Sequence, residues 1–436
     1  MTTRTIRIGI AGLGTVGGGV VKLLAEHAEL IERRCNARLS VVAVTARDRN
    51  RQRNLPLGDA RWHDTAESLA ADASLDVVVE LIGGADGPAR ALSEIALGAG
   101  KHLVTANKAL LAHHGTALAR LADERGATLR YEAAVAAGIP IVKALREGLA
   151  GNEVTALHGI LNGTCNYILT AMQEGVRAGK PAEFADVLAE AQRLGYAEAD
   201  PTMDIDGHDA AHKLAILTSV AFGCPVDLAS VYVEGIRAIS AMDIEYALTL
   251  GYRIKLLCIS RHSAAGVLQR VHPCMVPEGS PIAHVDGVFN AVITQGDFAG
   301  RSMFEGRGAG EGPTASAVVA DLIDVARGLT VPTFGVPAAQ LAARKSVPMA
   351  HHVGPYYIRL MVVDRPGVIA DVAACLRDQQ VSVESMLQRS RNPGEAVPVV
   401  LTTHEASEAS MCRALEAIGR LGTVLEPPHM IRIENL

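Results

Sequence analysis

The stretch Ile6-Arg7-Ile8-Gly9-Ile10-Ala11-Gly12-Leu13-Gly14-Thr15-Val16-Gly17 decides the fold of this 436-residue chain. Its apolar, β-branched start reads as a strand, and Val20, Val21, Leu23 and Leu24 beyond it fall at helical spacing. A GxGxxG signature alone is weak, but one set between a strand and an amphipathic helix meets the context that dinucleotide binding requires. Gly12, Gly14 and Gly17 permit a tight turn and close approach of backbone to a pyrophosphate at the helix N-terminus; with Leu13, Thr15 and Val16 they form the expected cofactor loop.

The next strand, Ser40 to Val44, should end in an acid if the adenine ribose carries a free 2′-hydroxyl. It ends instead in Thr45-Ala46-Arg47-Asp48-Arg49. Arg47 is therefore the expected contact to a 2′-phosphate, with Arg49 beside it, which favours NADP and leaves NAD possible. Asp76 to Ile82 reads as a buried strand, and Pro88 opens a helix ending near Gly98 and Gly100. The strand His102 to Thr105 then delivers Asn107 and Lys108 at its carboxyl end, where open α/β sheets bind ligands. A cation at Lys108 opposes the dipole of the helix it opens, and that positive field should lower its pKa. Such a lysine suits orienting a carbonyl or donating a proton.

Composition bounds the partners. The chain is too long for one core, 49% of its residues are hydrophobic, and the net charge is −6 with 3% aromatics, which argues against nucleic acid and anionic membranes. Seven cysteines, with no CxxC pair, read as reduced thiols. Cys165 reads as packing. No apolar run reaches membrane length and no targeting signal is present, so a cytoplasmic location is expected.

Downstream, Gly195-Tyr196-Ala197-Glu198-Ala199-Asp200-Pro201-Thr202-Met203-Asp204-Ile205-Asp206-Gly207-His208-Asp209 runs into an apolar helix whose ionisable side chains are His212 and Lys213. Asp209 and Lys213 share one face at i,i+4 spacing. A lysine in a buried helix needs a partner, and in a cleft such a pair is an acid or base candidate. Glu132, in Tyr131-Glu132-Ala133-Ala134-Val135-Ala136-Ala137-Gly138-Ile139-Pro140, reads from spacing as a hydrogen-bonded glutamate, with oxygen-only cation binding the alternative.

Val104 to Lys108, Tyr131 to Pro140, Asn162-Gly163-Thr164-Cys165-Asn166-Tyr167 and above all Gly195 to Lys213 together resemble the homoserine dehydrogenase family, over roughly residues 6–329. The resemblance implies that Glu198, Asp204 and Asp209 line the substrate site. It implies that Lys213 is the proton donor and that Lys108 contacts cofactor and substrate. It makes Glu132 a sodium ligand, joined by carbonyls of Val135, Ala137 and Ile139, with alanine at Ala137 where the family often has glycine. It also implies a middle mixed sheet carrying the dimer contact, and a return of Glu305 to Thr314 to the first domain with Gly310 near the nicotinamide. The implied reaction is reversible reduction of L-aspartate 4-semialdehyde to L-homoserine; which of Lys108 and Lys213 gives the proton stays open.

Ile236 to Ile239, Arg253 to Ile259 and Leu268 to Val271 read as further strands. A polar connection from Thr330 to Gly354, with His351 and His352 read as solvated, leads to a strand at Tyr356 to Val363 and the turn Asp364-Arg365-Pro366-Gly367. With the helix Ile369 to Arg377, strand Val381 to Val383, helix Ser410 to Leu421 and strand Met430 to Ile433, this resembles an ACT domain. The resemblance implies an amino-acid effector such as L-threonine near Gly367.

The expected architecture is α/β: a Rossmann-like dinucleotide-binding domain (1–130 with about 306–330), an α+β mixed-sheet substrate and dimerisation domain (131–305), a linker (331–353) and a ferredoxin-like ACT domain (354–436), as a homodimer or homotetramer. Two other classes stand beside it. A nonenzymatic cofactor-and-amino-acid sensor has no need of Lys108, Glu198, Asp204, Asp209 and Lys213 together. An acylating semialdehyde dehydrogenase needs a reactive cysteine beside a histidine, which neither Cys165 nor Cys224 shows locally.

Overall fold

The computed structural model describes residues 4–389 and 394–436. The first sheet contains β1 (Arg4–Ala11), β2 (Ala37–Thr45), β3 (Arg61–Trp62), β4 (Val77–Glu80), β5 (His102–Thr105) and β6 (Leu129–Arg130), all parallel in the order β3-β2-β1-β4-β5-β6. Alternation along these strands explains why both faces are covered. Ile6, Ile8, Ile10, Val77, Val79 and Val104 face the helices Thr15–Glu26 and Glu311–Ala326, whereas Ala43, Val78 and Leu103 join Leu92, Ala96, Leu110 and Leu118 of the helices Pro88–Gly98 and Lys108–Arg125. Each such valine, leucine or isoleucine side chain removed from water contributes about 1.5–3 kcal/mol. The helix Glu311–Ala326 thus packs beside Thr15–Glu26, where Lys22 also pairs with Glu311 at 2.7 Å.

The second sheet is mixed. It contains β7 (Val154–Ile160), β8 (Val231–Val233), β9 (Tyr252–Ser263), β10 (Gly266–Pro277), β11 (Phe289–Gly296) and β12 (Gly300–Arg307), with the helices Gly163–Arg177 and His208–Phe222 against one face. Beyond a short pair, β13 (Val353–Gly354) with β17 (Ala406–Ser407), come β14 (Tyr356–Val363), β15 (Val383–Leu387), β16 (Ala396–Thr403) and β18 (His429–Ile433). The order β18-β14-β16-β15, with the helices Val368–Asp378 and Glu408–Gly419, is the ferredoxin-like arrangement. This module is fused to the middle sheet: β18 pairs in parallel with β10 through Cys274↔Arg432 and Met275↔Ile433. Buried ions fasten the seam, with Arg432 on Glu234 and Glu408, and Asp243 on Arg359 and Tyr357.

Two expectations are corrected. Ile236 to Ile239 forms no strand; both isoleucines are buried, but Ile236 N donates to Ile205 O and the segment packs as a turn, while the neighbouring strand is β8. The connection before the last module is not simply solvated. Phe334 and His352 are buried, and Lys345 and Val347 pair with Val267 beside the turn of the β9–β10 hairpin. Among the described residues no helix is long and apolar enough to cross a membrane.

Candidate active site

Asp209 sits in the first turn of the helix His208–Phe222, where the dipole favours a carboxylate. Gly207, at φ 86°, makes the left-handed turn that launches the helix, against Val233 and Val271. The helix is buried almost all round, as its apolar sequence requires. Lys213 Nζ lies 2.7 Å from Asp209 Oδ2 and donates to Leu161 O at 2.7 Å. Lys108 Nζ, from a different domain of the sequence, lies 2.9 Å from Asp209 Oδ1. One buried carboxylate therefore binds two ammonium groups. Burial alone would raise the Asp209 pKa, but Lys213 and Lys108 outweigh it and hold the group far below the ordinary carboxylate range.

The expected depression of the Lys108 pKa is reversed. Partial burial works to lower it, yet Asp209, followed by Asp204 and Glu198, raises it above the ordinary lysine value. The local helix dipole is the weaker influence because a full carboxylate stands within hydrogen-bond distance. Asp204 lies at the edge of the same cluster: its Oδ1 accepts from Asn162 Nδ2 at 2.8 Å and its Oδ2 from Thr164 Oγ1 at 3.0 Å. Glu198 is exposed, near enough to act on Lys108 through charge. Cys165 is fully buried, and burial, with Asp204 and Asp209, pushes its thiol well above the ordinary range, which fits packing.

Asn162 is a site residue the sequence reading did not assign. Its Oδ1 caps the helix Gly163–Arg177 at Cys165 N, leaving Nδ2 to bridge Asp204 and Asp209 at 2.8 and 2.9 Å. An asparagine at the N-cap was the available signal. Glu80, at the end of β4 and 0% exposed, was likewise missed. It accepts from the amides of Ile82 and Gly83 and from Thr105 Oγ1, and Thr105 Oγ1 in turn accepts from Asn107 N. Asn107 caps the helix that Lys108 opens. This chain of bonds fixes where Lys108 begins.

The glycine loop has the shape of a phosphate cradle. Gly12 has φ 101° and an added Cβ would meet Leu81 O at 2.4 Å; at Gly17 it would meet Gly12 O at 2.0 Å. At Gly14 an added Cβ meets nothing within 4 Å, so open space lies over the N-terminus of the helix Thr15–Glu26. Leu13 O accepts from Arg53 Nε at 3.2 Å, and Arg53 also binds Asp48 O, tying the Arg47 loop to the cradle. Arg47 is exposed at the end of β2, while Arg49 lies 5.7 Å over the Trp62 ring. Gly310, at φ 124°, caps the helix Glu311–Ala326. The residues present thus fit a dinucleotide.

Glu132 is buried, its oxygens accepting from Val142 N at 3.0 Å and Lys143 N at 2.9 Å. The hydrogen-bonded glutamate read from spacing is therefore present. Burial, and then Asp321, push its carboxyl from 4.5 up to about 7. Ala136, at φ 48°, turns the loop, and among the described residues no donor reaches the carbonyls of Val135 or Ala137, both in buried residues; Ile139 O accepts from Ile141 N. A buried acid beside donor-free carbonyls fits a hard monovalent cation.

Residues 12–132 match the family model described as homoserine dehydrogenase, NAD binding domain; 140–323 match homoserine dehydrogenase, and 356–421 the ACT domain. The homoserine dehydrogenase of Neisseria gonorrhoeae is 44% identical over 439 residues, with 99% of each chain covered. That of Pseudomonas aeruginosa is 43% identical over 440 residues, covering 99% of this chain and 100% of that one. A crystal structure of a homoserine dehydrogenase from Thiobacillus denitrificans is similar with a TM-score of 0.93 at 44% identity, over 99% of both chains. A hyperthermophilic archaeal homoserine dehydrogenase in complex with NADPH is similar over 75% of this chain and 99% of its own, with a TM-score of 0.63 at 26% identity.

Proposed function

The chain belongs to the homoserine dehydrogenase family and is an oxidoreductase acting on a CH–OH group, and we propose that it interconverts L-aspartate 4-semialdehyde and L-homoserine in threonine, methionine and isoleucine biosynthesis. The observation that carries this reading is the Asp209 carboxylate shared by Lys108 and Lys213 beside Asp204. A bound nicotinamide dinucleotide supplies or accepts the hydride. An ammonium has three N–H donors; Lys213 commits two, to Asp209 and Leu161, so the third is held in a fixed direction for the substrate oxygen. Lys213 then gives a proton to the developing alkoxide on reduction and takes it back on oxidation. Lys108, anchored once and partly open to solvent, orients the carbonyl between substrate and cofactor. The carboxylates of Glu198 and Asp204 receive the substrate ammonium, with Asn162 and Thr164 fixing Asp204.

Gly12, Leu13, Gly14, Thr15, Val16 and Gly17 would hold the pyrophosphate, Arg47 a 2′-phosphate, and Gly310 would lie near the nicotinamide, with NADP preferred to NAD. We assign the C-terminal module to feedback through an amino acid such as L-threonine near Gly367, a left-handed N-cap at φ 95°, and the assembly to a homodimer or homotetramer. The test is reduction of NADP and of NAD on adding L-homoserine, with and without threonine. NADP-dependent turnover that threonine depresses is expected; no turnover with either cofactor, in protein that binds NADPH, contradicts the reaction and favours a sensor.

Glu132 with the carbonyls of Val135, Ala137 and Ile139 would hold the cation, sodium by the same reading. Below its ordinary pKa of 4.5 the Glu132 carboxyl is protonated in both states and its stabilising share is complete; that share is lost as pH rises through about 7. A cation restores the missing charge. Sodium chloride is therefore expected to raise Tm over choline chloride at about pH 8 and hardly at about pH 5, with Glu132→Gln removing the difference. An equal sodium effect in the variant would contradict the site.

A further inference from the structure

Segment 234–243 follows β8 and touches both the C-terminal module and the loop that carries Asp204. At its start Glu234 accepts from Arg432 Nη1 at 2.7 Å and from Tyr232 Oη at 2.9 Å. Arg432, 1% exposed on β18, directs its other donors to Tyr232 and to Glu408, which opens the helix Glu408–Gly419. At the far end Asp243, in the first turn of the helix Ala241–Thr249, accepts from Arg359 Nε at 2.8 Å and Tyr357 Oη at 3.1 Å, both of β14. Arg432 and Asp243 are buried, so these charge-assisted bonds are strong ones. The module thus grips the segment at both ends.

Between these ends the segment bears on residues 205–207, which separate Asp204 from Asp209. Ile236 N donates to Ile205 O at 2.9 Å. Gly235 permits that approach: a Cβ there would stand 2.3 Å from Ile205 O and 2.6 Å from Asp206 Cα, so any side chain would push two stretches of backbone apart. Arg237 lays its fork on Asp206, with Nη2 3.2 Å from Oδ2 and Nε on Oδ1. Val233, the last residue of β8, stands against Gly207, whose amide donates to Asp204 O at 3.0 Å. Backbone packed on backbone passes a displacement on, because close-packed groups have no slack to absorb it. Arg237 and Asp206 are largely exposed, so their pairing adds little to stability and its loss can be read in function without unfolding the protein.

We propose that Gly235 and Arg237 are positioning residues for the substrate carboxylate Asp204, and that the C-terminal module sets their place through Glu234 and Asp243. The inference rests on the reading of Asp204 as a receiver of the substrate ammonium. A shift of Glu408 or β18 within the module alters the Arg432–Glu234 bond, and the movement reaches Asp204 through the contact of Gly235 with Ile205.

Hydrogen exchange of the full-length protein without substrate, read by mass spectrometry, tests it, with KM for L-homoserine and Kd for NADPH measured alongside. In Glu234→Gln and in Arg237→Ala the peptide covering 203–209 is expected to exchange at least about threefold faster, while a peptide covering 15–26 keeps its wild-type rate. KM should rise about three- to tenfold in each, with kcat within about twofold and NADPH affinity unchanged. Gly235→Ala should raise KM about tenfold or more, since there the backbone itself must move. Arg237→Lys keeps the charge without the fork and should fall between wild type and Arg237→Ala. Because exchange needs no substrate, it decides the coupling by itself; a wild type inactive on homoserine would contradict the reaction alone. Wild-type exchange at 203–209 in both Glu234→Gln and Arg237→Ala, or an active enzyme whose KM none of the variants changes, would overturn the proposal. So would exchange that rises equally at 15–26 together with a weakened NADPH, the mark of a generally loosened fold.

Discussion

Replacing Asp209 with alanine is expected to lower kcat/KM for L-homoserine by at least about 10³-fold and to destabilise the protein by about 3–5 kcal/mol. The magnitude follows from what Asp209 neutralises. Lys213 and Lys108 stand 2.7 and 2.9 Å from its two oxygens, and Asp209 is 5% exposed, so its loss leaves two ammonium groups without their counter-ion, that of Lys213 buried. Because its pKa is depressed in the folded protein, its stabilising share is present above its ordinary 3.8 and is lost as pH falls below it. The destabilisation should therefore be full at neutral pH and shrink in acid. Asp209→Asn keeps the shape and should fold better. Without the charge that raises Lys108, its pKa falls, and the alkaline limb of the pH–kcat/KM profile should move to lower pH. An Asp209→Asn enzyme with wild-type turnover and an unmoved profile would sink the shared-carboxylate account.

The second large effect separates two glycines of one loop. Gly17→Ala places a methyl 2.0 Å from Gly12 O, so backbone must shift; a loss of about 2–4 kcal/mol and of cofactor affinity together is expected. Gly14→Ala meets nothing within 4 Å and Gly14 has φ −77°, so Tm should hold. If the pyrophosphate occupies that space, its Kd for NADPH should still rise about 100-fold or more. Unchanged NADPH affinity in Gly14→Ala would show that the phosphates lie elsewhere.

Local chemistry made much of this legible. The strand–glycine–helix pattern at β1, the uninterrupted apolar face of the helix after Asp209, and the placement of Lys108 at the carboxyl end of β5 all follow from periodicity and turn residues. What could not be read depends on partners distant along the chain. The Lys108 shift has the opposite sign to the one its own helix dictates, because Asp209 arrives from another element. The parallel pairing of β18 with β10 is decided by edge hydrogen bonds that leave no mark in either strand's composition. Ile236 and Ile239 are buried like strand residues but held by a turn, since apolar content alone does not set backbone direction. His352 resembles a solvated linker histidine until β9 and β10 close over it.

In the proposed reaction the buried ammonium of Lys213 moves the proton while Lys108 orients the substrate. Steady-state oxidation of L-homoserine by the wild type, Lys213→Ala and Lys108→Ala, with homoserine binding measured separately by calorimetry, distinguishes the two roles. Lys213→Ala is expected to lose about 10²–10⁴-fold in kcat with homoserine affinity nearly intact, and Lys108→Ala to raise KM as well. A Lys213→Ala enzyme with near-normal kcat and a raised KM alone would contradict this assignment.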